Sequence, residues 1–322
     1  MTARIRVAVI GGGANGEHEV SLASAASALA ALDPDRYEAV PFTIARDGGW
    51  LVAGSPLAFG DAVTALAGCD VALPLVHGAP GEDGTLAALC ELIGLPYAGS
   101  GVGAGAVAMD KHATKLMAAS VGIRTAPAAL LTRATRDAYA WCGPVVVKPV
   151  DAGSSRGVTP VRAPGDLPGA LDAAFAWGDR VLVEQLVAGR EIDIAVFDED
   201  DEPIVTAPLE IAAQTFFDYD AKYGETHDTH VVFEVPARLT SLELRRLEQS
   251  ALALYRALGC RGVARLDFFL DADGWLLNEV NTTPGLTSAS QVPLMFRASG
   301  IAYPDLLDRL IGEALRRAAV LA

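Results

Sequence analysis

Basic residues are scarce in this chain of 322 residues. Twenty-five lysines and arginines stand against 40 aspartates and glutamates, a net charge of -15. Such a balance disfavours a nucleic-acid partner, because phosphate backbones are held by basic surfaces. It leaves room for a phosphorylated small molecule, which a few lysines in a cleft can hold. Cysteine is rare too. Cys69, Cys90, Cys142 and Cys260 lie far apart and form no C-x-x-C. Neither a disulfide framework nor a zinc site is expected, and the four are read as buried thiols of a reducing compartment. No apolar run is long enough to span a bilayer, and "MTARIRVAVIGGG" has neither the apolar stretch nor the cleavage pattern of a signal peptide. The expectation is a cytoplasmic protein without a membrane partner. Internal repeats and low-complexity tracts are absent. So is one common nucleotide signature: no G-x-x-x-x-G-K-[ST] occurs.

Hydrophobic residues make up 51% of the chain, ample for a core. The first hundred residues alternate short β-branched strands ("IRVAVI", "YEAVPFTI", "CDVALPLVHG") with helical patterns such as "EHEVSLASAASALAAL". That alternation predicts a parallel sheet flanked by helices, with ligands beyond the carboxyl ends of its strands. The "GGG" turn and "VHGAPGEDGT" lie at such ends. A second region, 101–187, combines a helix ending at Gly122, the strand "GPVVVKPV", the loop "DAGSSRGVTPV", a helix near 166–177 and the strand "RVLVEQLV". The third, from 188, is expected to be rich in antiparallel strands ("REIDIAVFD", "EPIVTAPLEI", "GVARLDFFLD", "GWLLNEVN"), with a helix over 238–259.

Three segments carry chemistry. On a strand, residues two apart share a face, so Glu279 and Asn281 project together, as do Arg265 and Asp267. A hairpin through "DADG" would converge all four. Two carboxylates and an amide oxygen are hard ligands of the kind Mg²⁺ takes alongside phosphate oxygens, and the arginine suits a phosphate or a developing anion. In "KPVDAGSSRGVTPV", Lys148 ends a strand, and the loop through Ser154 and Ser155 can offer N–H groups and hydroxyls to phosphate; a plain Gly/Ser hairpin loop is an equal reading. In "VLVEQLVAGREIDIAV", Glu184 and Glu191 suit an adenosine pocket, although spacing alone would make them surface glutamates.

Taken in order, "GGANGEHEVSLASA", "HGAPGEDGT", "GLPYAGSGV", "AMDKHATK", "VVVKPVDAGSSRGV", "VEQLVAGREI", "FFDYDAKY", "GCRGVARLDFF" and "NEVNTTPGLTSASQVP" resemble the D-alanine–D-alanine ligases of the ATP-grasp superfamily, over residues 5 to 315. The resemblance implies an α/β ATP-grasp fold of three subdomains: an N-terminal parallel α/β domain (1–100), a central α+β lid (101–187) and a C-terminal, mainly antiparallel α+β domain (188–322). It implies a reaction in which ATP phosphorylates one D-alanine and the amine of a second attacks the acylphosphate, releasing ADP and phosphate, for peptidoglycan precursor synthesis. It also implies roles. Asp267, Glu279 and Asn281 hold two Mg²⁺ or Mn²⁺. Lys111, Lys148 and Lys222 contact the phosphates of ATP, with Ser154 and Ser155 in the Gly/Ser loop. Glu184, the backbone of Val187, and Glu191 hold adenine and ribose. Arg265 and the amide of Gly285 face the oxyanion. Glu17 takes the first amino group, and Ser154 and Tyr223 link it to a closing lid, "FFDYDAKYGETHDTH". His77 and Glu82 lie near the substrates, a satisfied strand-end histidine being the alternative for His77. A homodimer is implied as well.

The chain departs from the family pattern at three places. Arg156 stands where an aliphatic residue is usual, either contacting phosphate or, the favoured reading, pointing to solvent. Ala87-Ala88 replaces Gln-Gly on what is expected to be a helix surface. Ser290-Gln291 replaces the Ser-Leu pair that contacts the second D-alanine. A buried amide wants a partner, so Gln291 implies either a polar second substrate or a side chain turned outward. A ligase with a different second amino acid is the alternative function.

Overall fold

The computed structural model describes residues 4–199, 202–212 and 232–321. Tyr219, Lys222 and Tyr223, and with them the expected lid, lie outside the described residues.

Three sheets organise the chain. The first contains β1 (Ile5–Gly12), β2 (Tyr37–Ile44), β3 (Trp50–Val52), β4 (Ser55–Leu57) and β5 (Val71–Pro74), in the order β4-β3-β2-β1-β5. β1 pairs in parallel with β2 and β5, as the strand–helix alternation requires. β3 and β4 are antiparallel additions, so the sheet is mixed and not wholly parallel. Two tight turns produce them: Gly48 and Gly54 both adopt positive φ, a conformation glycine enters freely. Helices α1 (His18–Ala31), α2 (Phe59–Ala67) and α3 (Thr85–Leu92) complete the layer. Ala87 is buried inside α3 and not on its surface, because it packs with Leu86 and Cys90 against the sheet.

Helices α4 (Val102–Met109) and α5 (Lys111–Ser120) follow, then the second sheet: β6 (Ala128–Thr132), β7 (Val145–Pro149), β8 (Thr159–Val161) and β9 (Arg180–Gln185), ordered β6-β9-β7-β8 and antiparallel throughout. Helix α6 (Leu167–Phe175) covers it with Leu171, Ala174 and Phe175. Cys142, at the edge of this region, is exposed, unlike the other three cysteines.

The third sheet is built on β10 (Arg190–Glu199), with β11 (Glu202–Val205), β12 (Leu209–Ala212), β13 (Val232–Glu234), β14 (Val263–Asp271) and β15 (Gly274–Asn281). Its order is β13-β12-β10-β14-β15, with β11 also on β10. The expected single strand "EPIVTAPLEI" is two strands. The chain leaves β10 after Val205 and rejoins it at Leu209, across a break that contains Pro208, which has no N–H to give a ladder. Helix α7 (Ser241–Leu258) begins at a capping box, Thr240 with Glu243, and ends at Gly259 in the left-handed region. Helices α8 (Gln291–Ala298) and α9 (Tyr303–Leu321) close the described chain.

The sheet has a core on each face. Ile192, Ile194 and Val196 of β10 and Ala264, Leu266 and Phe268 of β14 face α4, α5 and α7. On the other face, Ala195 and Phe197 pack with α8, α9 and the first sheet's Val7, Val9, Val71 and Leu73. The polar residues of the site lie at the end of this second face. A bulge makes that possible. Asp267 faces Glu279, but Phe268 faces Leu277, leaving Asn278 as the extra residue on β15. Trp275, Leu277 and Val280 therefore share the helix-side core. Without the extra residue, Glu279 and Asn281 would follow Leu277 into that core. With it they turn to the cavity.

Candidate active site

A cavity of about 270 Å³ opens where the three sheets meet. Among the described residues its lining carries six acidic side chains (Glu17, Glu82, Glu191, Asp193, Asp267 and Glu279) against Lys111 and Arg265. His77, Ser154, Asn281, Gly285, Ser290 and Gln291 also line it. Segments distant in sequence, among them 17–20, 77–82, 108–111, 153–154, 191–193 and 265–291, thus meet in one chamber.

Glu17 sits at the N-terminus of α1, on a turn stapled to the end of β5. Its N–H donates to Asn15 Oδ1 (2.7 Å), Asn15 Nδ2 donates to the His77 carbonyl (2.8 Å), and the His77 N–H donates to Ser21 Oγ (2.9 Å). The Ser154 hydroxyl donates to Glu17 Oε1. Two glycines make room for the carboxylate: a Cβ on Gly78 would lie 2.5 Å from Glu17 Oε2, and one on Gly153 2.6 Å from it. Gly78 also needs its φ of 65°, and Ser154 and Ser155 follow Gly153 with φ of 50° and 57°. Consecutive left-handed residues are rare for side chains with a Cβ and mark a loop shaped for something other than stability.

His77 is buried, with both ring nitrogens taken. Nδ1 lies 2.7 Å from the Thr283 carbonyl and must donate to it. Nε2 then accepts from the Ser24 hydroxyl (2.9 Å), whose oxygen accepts in turn from the Leu286 N–H (3.2 Å). This chain fixes the tautomer and ties the 283–286 loop, with Gly285 inside it, to α1. Burial pushes the His77 pKa down and keeps the ring neutral. Glu82 holds the same loop from the other side. Oε1 accepts from the Thr283 N–H (3.2 Å) and Oε2 from the Gly78 N–H (3.1 Å). Burial, with the Glu17 charge nearby, pushes its pKa up to about 8. A Cβ on Gly285 would come within 3.3 Å of Ser290 Oγ, itself held by Thr287, so the absence of a side chain keeps this stretch of backbone open.

Arg265 is the cation at the centre. Its Nε and Nη2 donate to the two oxygens of Asp267 (2.7 Å each), the bidentate fork that a guanidinium forms with a carboxylate. Asn281 Nδ2 donates to Asp267 Oδ2 (3.0 Å). Glu279 Oε2 lies 3.5 Å from Lys111 Nζ, which donates to the Ala152 carbonyl (2.8 Å). The expected four-residue convergence on β14 and β15 is present: Asp267 pairs with Glu279 and Arg265 with Asn281. No three His, Cys, Asp or Glu side chains of the described residues form a metal cage by themselves. Two carboxylates and an amide do fit Mg²⁺, which completes its octahedron with substrate phosphate and water.

A second cluster lies where β7 and β9 meet β15. Glu184 is buried between Lys148 and Lys115, 2.8 Å from each, and Lys148 also reaches Asn278 Oδ1 at 3.3 Å. Burial alone would raise the Glu184 pKa, but the two ammonium groups outweigh it and hold the carboxylate below its ordinary range. Val187 lies just beyond β9, and Glu191 lines the main cavity.

Arg156 does not point to solvent. Its Nη2 donates to the Gly16 carbonyl (2.7 Å), and its guanidinium lies over the Trp177 ring, 5.1 Å from the centroid. Nor does Gln291 turn outward. Its amide meets Arg265 and Asp193. Three partners escaped the sequence reading. Asp193 was legible in principle, being two residues past Glu191 on the same strand face. Lys115 stands one helical turn after Lys111. Ser24 gave no signal, since a serine on an alanine-rich helix is unremarkable by pattern.

Known proteins match this chain along its length. Residues 6–100 match the family model described as D-ala D-ala ligase N-terminus, and residues 117–312 that described as D-ala D-ala ligase C-terminus. The D-alanine–D-alanine ligase of Nocardia farcinica is 39% identical, covering 98% of this chain and 99% of its own. The VanG D-Ala:D-Ser ligase of Enterococcus faecalis superposes with a TM-score of 0.84 at 32% identity, over 97% of this chain and all of the other. The Bacillus anthracis D-alanine–D-alanine ligase complexed with ATP does so with a TM-score of 0.80 at 30% identity, over 99% of this chain. With its ATP-grasp architecture, this chain belongs to the D-alanine–D-alanine ligase family.

Proposed function

We propose that this protein joins two molecules of D-alanine with the consumption of ATP, supplying a peptidoglycan precursor. The observation that carries the reading is the contact from Ser154, on the Gly/Ser loop, to Glu17. It joins the loop suited to phosphate with a carboxylate suited to an amino group, in a chamber that also holds Arg265.

The chemistry follows from these positions. Glu17 accepts the ammonium of the first D-alanine and so orients its carboxylate toward the phosphate loop. That carboxylate attacks the γ-phosphorus of ATP, ADP leaves, and an acylphosphate forms. The amine of the second D-alanine attacks the acyl carbon, and phosphate leaves as its bond to that carbon breaks, taking up the proton that the new amide nitrogen gives up. The negative charge on the tetrahedral carbon's oxygen is met by the Arg265 guanidinium and the Gly285 N–H as fixed donors. Lys111 and Lys148 neutralise phosphate oxygens, Ser155 adds a hydroxyl, and Glu184, Glu191 and the backbone of Val187 hold the nucleoside. Ser290 lines the second-substrate side.

Asp267, Glu279 and Asn281 would hold Mg²⁺ or Mn²⁺. The surplus of carboxylates in the cavity supports this, since two anionic substrates need more positive charge than Arg265 and Lys111 supply. A bound divalent ion would screen the phosphates from the attacking carboxylate. A lid carrying Tyr219, Lys222 and Tyr223 would keep water from the acylphosphate. A cytoplasmic homodimer is part of the same reading, and no helix among the described residues is long and apolar enough to cross a membrane.

Phosphate release from purified enzyme with MgATP and a panel of D- and L-amino acids tests the proposal. D-alanine should support turnover and give the dipeptide by mass. Silence with D-alanine and turnover with another amino acid would overturn it. The similarity to a D-Ala:D-Ser ligase makes D-serine the competing second substrate.

A further inference from the structure

Gln291 is the first residue of α8 and lines the same cavity as Glu17. Its Oε1 accepts from Arg265 Nη1 at 2.6 Å, and its Nε2 donates to Asp193 Oδ2 at 2.7 Å. The orientation of the amide is forced. A guanidinium can only donate and a carboxylate only accept, so the oxygen must face Arg265 and the nitrogen Asp193. Asp193 is fully buried on β10, directly opposite Asp267 on β14, and its Oδ2 stands 3.6 Å from Arg265 Nε. Arg265 is therefore gripped on two sides. Asp267 takes Nε and Nη2, and Gln291 takes Nη1.

We infer that Gln291 is a positioning residue for Arg265, bracing its guanidinium against Asp193, and that it does not read the side chain of the second amino acid. The inference rests on the proposed ligase activity and concerns the same pocket. A substrate hydroxyl would have to compete for the amide with a guanidinium and a carboxylate, both stronger partners than a neutral group. The side chain left facing the cavity is then a methylene stem, which accepts a small apolar D-amino acid as a leucine would. Arg265 in turn needs a brace. Asp267 also belongs to the proposed metal site, so its hold on the guanidinium is shared, whereas Gln291 and Asp193 are outside that set. A guanidinium displaced by an ångström loses much of its effect on a developing charge.

Gln291→Met and Gln291→Asn test this, with folding checked by circular dichroism. Methionine keeps the stem and removes the amide; asparagine keeps the amide and cannot span both partners. Both should lower kcat with D-alanine by about tenfold or more. The KM for the second D-alanine should stay within about threefold, and the preference for D-alanine over D-serine should not change. An unchanged kcat overturns the inference, whether KM and selectivity move or stay. A second readout is independent of turnover. In protein labelled with ¹⁵N-arginine, the slowly exchanging Nη–H signal of Arg265, assigned by its loss in Arg265→Lys, should exchange faster in Gln291→Met. Unaltered exchange refutes the brace even if the wild type proves inactive with D-alanine, a result that would sink only the assigned substrate.

Discussion

Replacing Arg156 with methionine should loosen the joint between the Gly/Ser loop and the turn that carries Glu17. The loss can be worked from two contacts. A charged donor to a carbonyl contributes about 1.5–3 kcal/mol, and the half-exposed setting of Arg156 favours the lower end. A guanidinium over an indole adds about 0.5–1 kcal/mol. Methionine retains part of the packing on Trp177, so a net cost of about 2 kcal/mol is expected, with a higher KM for the first amino acid because Glu17 is less well held. Urea unfolding and initial-rate kinetics measure the two effects. The geometry makes a sharper demand through Gly16, whose Cβ, if present, would overlap the Arg156 guanidinium. Gly16→Ala should therefore be costly in the wild type and nearly neutral in Arg156→Met, a coupling of about 1 kcal/mol or more in a double-mutant cycle. Additive effects of the two substitutions, within about 0.3 kcal/mol, would refute the reasoning.

Other expectations follow from the same contacts. Gly78→Ala forces a Cβ against Glu17 at a left-handed φ and should cost about 1–3 kcal/mol in urea unfolding while weakening first-substrate binding; a wild-type KM would contradict the packing around Glu17. Lys115→Met removes one of the two ammonium partners of the buried Glu184 and should cost about 1.5–3 kcal/mol, the loss of a charged hydrogen bond, with a raised KM for ATP. Glu82 has a folded pKa of about 8, above its unfolded value of 4.5. The folded state thus holds this proton more tightly, and the contribution to stability is full below pH 4.5 and lost as pH rises through 8. Unfolding curves between pH 5 and 8 should show a flatter decline in Glu82→Gln than in the wild type. Chelation of divalent cations should stop phosphate release and Mg²⁺ or Mn²⁺ should restore it; turnover surviving chelation would refute the role given to Asp267, Glu279 and Asn281.

The hairpin at the heart of the site was legible because its physics is local. Strand alternation and the "DADG" turn suffice to pair the strands that carry Asp267 and Glu279. The bulge at Asn278 was not legible, since nothing in "WLLNEVN" states which residue will be left unpaired. Yet that residue turns Glu279 and Asn281 out of the core occupied by Leu277 and Val280. Lys111 and Lys148 were visible as charges at a helix start and a strand end, but the burial of Glu184 between Lys148 and Lys115 depends on three segments meeting. Arg156 and Gln291 were recognised as departures, but the reading that either side chain points to solvent did not hold. Both resolve into contacts with residues more than 20 positions away, Gly16 in one case and Arg265 and Asp193 in the other, and such pairings leave no periodic trace. Of β3, β4 and β6 there was little sign, because strands of three to five residues barely alternate.

The relay from Leu286 through Ser24 and His77 to Thr283 has a consequence for what the chamber can admit. It welds the loop bearing Gly285 to the helix that begins at Glu17, so under the roles proposed for these two residues both ends of the first substrate would meet a single jaw. Such a jaw would work as a gauge of length. An α-amino acid spans it, whereas a β-amino acid, one methylene longer between ammonium and carboxylate, would have to displace one end. The gauge requires no contact with the side chain, so selection for backbone length and selection for side-chain size can be altered separately, the first at Ser24 and His77 and the second elsewhere in the pocket.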